Sequence, residues 1–82
     1  MSLDPAETIL ELLAAVPAGK SISPEEAARA MDGEADAWRR RLPQIRSAAV
    51  GLARQGKLVI TRHGKPADPD NFKGVYRLRL PE

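Results

Sequence analysis

The sequence predicts an α+β fold: three helices followed by a two-stranded β-hairpin, all in one domain spanning residues 1–82. Three observations lead there. Twice a capping side chain is followed at once by proline and then by acid, the grammar of a helix start (Asp4-Pro5-Ala6-Glu7 and Ser23-Pro24-Glu25-Glu26). After Gly56 the apolar period changes from helical to two. Finally, 82 residues leave room for only one hydrophobic core.

The first helix opens at Asp4, whose carboxylate can cap free N–H groups, and Pro5 suits the first helical position. Ile9, Leu12, Leu13 and Val16 then repeat at the spacing of one helical face, and Pro17 and Gly19 end the run. Lys20-Ser21-Ile22 reads as a loop or a minimal strand. Ser23–Met31 is the second helix, and its Ala27, Ala28, Ala30 and Met31 let a neighbour approach closely. Asp32-Gly33 stops it.

Residues 34–42 have good helix propensity at Glu34–Arg41, but Pro43 disfavours helix at Leu42, so they read as a turn with some helical content. The third helix runs from about Pro43 to Gln55, with Ile45, Ala48, Ala49 and Leu52 as its core stripe and Gly56 as its left-handed stop. Beyond it, Leu58 and Ile60 face one way, Val59 and Thr61 the other. A turn-rich segment, 63–74, leads to Tyr76, Leu78 and Leu80, which alternate with Val75, Arg77 and Arg79. The face of Leu58, Ile60, Tyr76, Leu78 and Leu80 is expected to cover the helices.

Charge is divided along the chain. Residues 1–37 carry eight acidic and two basic side chains, residues 38–82 three acidic and eleven basic, so a net −6 meets a net +8. Part of the acidic excess is helix grammar: Asp4, Glu7, Glu25 and Glu26 all stand at helix starts. The basic half is the electrostatic footprint of a surface that meets a polyanion.

Composition excludes several other classes. There is no cysteine, hence no disulfide and no thiolate metal site, and His63 is the only histidine. No metal and no cofactor are expected. No apolar run approaches the roughly 20 residues that span a bilayer. The opening Met-Ser-Leu-Asp-Pro lacks a basic region before an apolar stretch, so no secretory signal is expected and the cytoplasm is the expected location. Catalysis finds no support either. Ser21 and Ser23 have no nearby base, Glu25-Glu26 belongs to a helix start, and Gly64-Lys65-Pro66 is no phosphate-binding loop.

The candidate site residues are basic and polar. On a helical wheel with Ile45 at the core, Ser47, Val50 and Arg54 point outward and Gln44 and Arg46 lie on the flanks. Gln44 and Ser47 are chemically able to read base edges. Arg39, Arg40 and Arg41 precede the helix, where guanidinium groups can grip phosphates; equally, they can form a solvated face paired with Glu34 and Asp36. Arg54 lies about ten residues from Gln44, roughly 15 Å along the axis, and would touch backbone rather than the same base step. Arg62, His63, Lys65 and Lys73 sit at or near the hairpin loop, and Asp68 and Asp70 in the same loop oppose a phosphate. Trp38 reads as an anchor of the turn, and Phe72, in a polar loop, as a candidate for exposure or for folding back on the hairpin. Arg77 and Arg79 fall on the outward side of the last strand, with no assigned role.

The pattern resembles a winged helix-turn-helix, with Ser23–Met31, the Asp32–Leu42 turn, Pro43–Gln55 as recognition helix and Gly56–Leu80 as wing. More closely, the stretches 21–30, 38–40, 53–58 and 70–78 resemble a bacterial family of short winged-helix proteins labelled only as a domain of unknown function. The turn of about eleven residues exceeds the 3–4 of the compact motif. The resemblance implies a DNA-binding protein, monomeric because no extra dimerising helix is present. A protein–protein interaction module on the same fold is the alternative.

Overall fold

A computed structural model describes residues 4–17, 19–33 and 37–81 of the chain. Its first helix, α1, runs Pro5–Ala15, and Asp4 caps it by accepting the Ala6 N–H at 2.9 Å. The second, α2, runs Pro24–Met31, with the Ser23 hydroxyl accepting the Glu26 N–H at 3.1 Å. Each cap satisfies a donor that the first helical turn leaves without an intrahelical partner.

A short 3-10 helix, Ala37–Arg41, leads directly into α3, Leu42–Arg54. The expected pairing of the arginine run with Glu34 and Asp36 lies outside the described residues. Helix α3 begins at Leu42 rather than at Pro43. Proline is tolerated there because an N–H in the first turn has no helical acceptor to lose. The helix ends in a Schellman motif: the Gly56 N–H meets the Ala53 carbonyl at 3.0 Å, the Lys57 N–H meets Leu52 at 2.9 Å, and Gly56 takes φ +76°.

The hairpin is part of a larger sheet. Strands β1 (Ser21–Ile22), β2 (Val59–Arg62), β3 (Lys65–Pro66) and β4 (Arg77–Arg79) form four antiparallel strands in the order β1-β4-β2-β3. The minimal strand near Lys20–Ile22 is therefore real: Ile22 pairs with Leu78, which on its other side pairs with Ile60. What reads in sequence as one long hairpin loop first turns tightly. His63 and Gly64 join β2 to β3 with φ of +52° and +80°. Positive φ at both central residues is what a type I′ hairpin turn requires.

Helix α1 packs on α2 and α3, and the sheet closes over them through β2 and β1. Ile9 and Leu13 of α1, Ala27 and Ala28 of α2, and Ile45 and Ala49 of α3 are fully buried with Ile22 and Leu78. Leu12, Val16 and Ala48 are partly buried at the edges of this core, and Ala30 is exposed. Two positions depart from the alternation expected of the hairpin. Leu80 is 43% exposed, because β4 and its pairing stop at Arg79. Thr61 is buried, since β3 and β4 flank it through Pro66 and Arg77, and its hydroxyl donates to the Arg77 carbonyl at 3.4 Å. Phe72, in the polar loop, is only 6% exposed.

Candidate nucleic-acid interface

The candidate residues fall into three groups. The first precedes and opens α3. Arg39 and Arg40 are exposed and Arg41 is half-buried, its Nε 3.8 Å from an Asp32 carboxylate oxygen. The Arg39 guanidinium lies 4.8 Å from the centre of the Trp38 ring, and Arg29 of α2 lies 4.7 Å from it. Trp38 is thus the buried anchor that the turn needs, held against two cations. Gln44 and Ser47 follow in the first turns of α3 and are both exposed, as the helical wheel predicts.

The second group is the tip of the β2–β3 hairpin. His63 and Lys65 are exposed there. The His63 backbone does structural work, because its left-handed conformation shapes the turn.

The third group departs from the sequence reading. Arg46, Arg54 and Arg62 converge on one segment, residues 70–75. Arg46 donates to the Phe72 carbonyl at 2.7 Å, and its guanidinium lies 3.9 Å from the Phe72 ring centre. Arg54 pairs with the Asp70 carboxylate through Nε, at 2.8 Å, and through its terminal nitrogen. Arg62 donates to the Val75 carbonyl at 3.1 Å. Arg46 and Arg54 come from α3 and Arg62 from β2, so the segment is held from two elements at once.

Its local geometry fits this clamp. Asp68 accepts the Asp70 N–H at 2.9 Å, an Asx turn, and the Asn71 N–H meets the Asp68 carbonyl at 3.0 Å. Phe72 then turns inward and meets Tyr76 edge-on, ring centres 5.0 Å apart at 67°. At Gly74 φ is +82°, and a Cβ there would stand 3.0 Å from an Arg62 nitrogen. Glycine takes that backbone without strain. Lys73 is exposed between them.

Phe72 is therefore no exposed contact: its ring fills the angle between α3 and the sheet under Arg46. Burial raises the Tyr76 phenol above its ordinary pKa of 10.0, and the nearby Arg46 charge opposes part of that shift.

Arg77, unassigned in sequence, turns out to tie strand to strand. It donates to the Ser21 hydroxyl at 2.7 Å and to the Ser21 carbonyl at 3.0 Å, and stands 4.0 Å from Glu26. Arg79 reaches the Leu80 carbonyl. Sequence reasoning also missed a shallow groove. It lies between the starts of α2 and α3 and the segment before β4, with Trp38, Leu42, Pro43, Val75 and Tyr76 among its walls. The only signal for it in sequence was Val75, an apolar residue at an outward strand position.

Among the described residues no group of acidic or histidine side chains could hold a metal ion, and no helix is long and apolar enough to cross a membrane. A comparison with curated proteins gave no match. Residues 3–81 match the model of a family described as Protein of unknown function (DUF3253), and the chain belongs to that family.

Proposed function

We propose that the chain is a winged helix-turn-helix protein that binds DNA, with α2 and α3 as the paired helices and the sheet with its β2–β3 hairpin as the wing. On this reading it is a monomeric, cytoplasmic binding protein without catalysis or cofactor. The observation that carries it is the outer face of α3. Gln44 and Ser47 stand exposed in its first turns, immediately after the cationic lead-in Arg39–Arg41. A helix start with readable side chains and guanidinium groups beside it suits a major groove and its flanking phosphates.

Arg40 is the phosphate contact in this reading, joined by Arg39, His63 and Lys65. Arg46, Arg54 and Arg62 reach DNA only by leaving or sharing their present partners. Weak, strongly salt-dependent affinity with little sequence preference is expected from so few phosphate contacts.

Titration of isotope-labelled protein with random duplex DNA at low and raised salt tests this. Salt-sensitive amide shifts confined to residues 39–54 and 62–74 are expected. Arg40→Ala should weaken binding to all sequences alike and flatten the salt slope by about one phosphate contact. No shifts at any salt would sink the reading.

A further inference from the structure

The groove beside α3 is chemically unlike the proposed DNA face. It encloses about 760 Å³, and Pro24, Trp38, Leu42, Pro43, Val75 and Tyr76 contribute its walls. Val75, at its lip, is 81% exposed, the most exposed large apolar side chain among the described residues. Apolar surface left in water at a concave site marks a contact for another apolar group.

Positive charge is in excess around it. Glu25 and Glu26 already face cations, Arg29 at 3.2 Å and Arg77 at 4.0 Å. Arg46 and Arg62 instead donate to the neutral carbonyls of Phe72 and Val75. Neither meets a carboxylate among the described residues, so two uncompensated positive charges flank the exposed Val75. An apolar slot with cations beside it complements an apolar side chain with carboxylates beside it.

The walls are also fixed in advance. Pro24 and Pro43 open their helices with φ locked by the ring, and the lip is held by Arg46, Arg62 and the left-handed Gly74. A preformed slot spends little ordering entropy on binding.

We infer that this groove docks an extended segment of a partner protein, anchored by a large apolar side chain and flanked by Asp or Glu. Nucleic acid fits it poorly. Phosphate gains nothing from six apolar walls, and the guanidinium groups of Arg29 and Arg39 already lie over the Trp38 ring on which a base would stack. Gln44 and Ser47, the proposed base readers, are not among its walls, so the two partners can be tested apart.

Trp38 is the only tryptophan in the chain and lines the groove, so its emission reports occupancy. The full chain is panned against a displayed library of random dodecapeptides lacking tryptophan, and the enriched peptides are synthesised and titrated against Trp38 emission. Enrichment of apolar anchors flanked by acids is expected, with emission saturating on titration. Val75→Ser, at an exposed position that leaves the core untouched, should weaken binding about tenfold, the scale of one buried valine side chain. Arg62→Gln should weaken the acidic peptides and spare versions with the acids amidated. Enrichment of basic peptides, or of none, would overturn the proposal, as would equal binding by Val75→Ser. So would Trp38 emission that responds only to random duplex DNA, or only to protein concentration. Those two results would give the groove to nucleic acid or to a second copy of this chain.

Discussion

Phe72→Ala tests the clamp that Arg46, Arg54 and Arg62 place on residues 70–75. The ring is 6% exposed, stacks edge-on against Tyr76 at 5.0 Å and lies 3.9 Å beneath the Arg46 guanidinium. Removing a buried phenylalanine costs about 3–5 kcal/mol. Within that sum, the aromatic pair supplies about 0.5–1.5 kcal/mol and the cation over the ring about 0.5–2 kcal/mol. A domain of this length has a total stability of roughly 4–12 kcal/mol, so the variant should lose about a quarter of it or more. Even a loss of about 3 kcal/mol should lower the melting temperature by roughly 12–24 °C. Circular dichroism against temperature and urea measures this directly. Phe72→Leu keeps most of the apolar burial and should show an intermediate loss. In a double-mutant cycle with Arg46→Met, the pair should couple by more than about 0.5 kcal/mol. If Phe72→Ala changes stability by less than about 0.5 kcal/mol, as substitutions at exposed positions do, the loop is not clamped as described.

Four further outcomes follow from the same geometry. Asp70→Asn removes the carboxylate that engages Arg54, so random duplex DNA should bind more tightly, and fluorescence anisotropy across a salt series should show a log–log slope steeper by about 0.9; an unchanged slope would mean that Arg54 meets no phosphate. The same variant should lose less than about 1 kcal/mol of stability, because both partners are exposed. Gly64→Ala should cost about 1–2 kcal/mol by urea denaturation, since the position has φ +80° and open space around it, leaving backbone strain as the sole penalty. For Tyr76, the fold holds the phenolic proton more tightly than the unfolded chain does, so its contribution is complete below pH 10 and is lost as pH rises beyond it. Urea midpoints of the native protein should therefore fall relative to Tyr76→Phe as pH rises beyond about 10, and parallel curves would refute the raised pKa.

The helix starts and stops were legible because their causes are local. Asp4 and Ser23 cap donors two or three residues away, and Gly56 closes a motif built within a single turn. The change of period after Gly56 likewise marked β2. The segment before β4 was illegible because its order comes from afar. Arg46 reaches Phe72 across 26 positions, and Arg54 reaches Asp70 across 16. A guanidinium suits a phosphate, a carboxylate and a backbone carbonyl equally well, so sequence could not say which of them each arginine would hold. Gln44 and Ser47 were readable because their exposure follows from helical period alone. Val75 and the groove were not, since they depend on how two helix starts meet a strand.

The position of β4 sets the order in which the sheet can close. This last strand lies between β1 and β2, and Arg77 bonds Ser21 from 56 positions away. While the chain is still being made, the three helices can already associate, but Ile22 and Ile60 have no Leu78 to pair with. The nascent chain therefore carries two short unsatisfied strand edges until β4 itself has been made. Sheet closure is then a late step of high sequence separation, and its loop-closure entropy should make it the slow phase of folding.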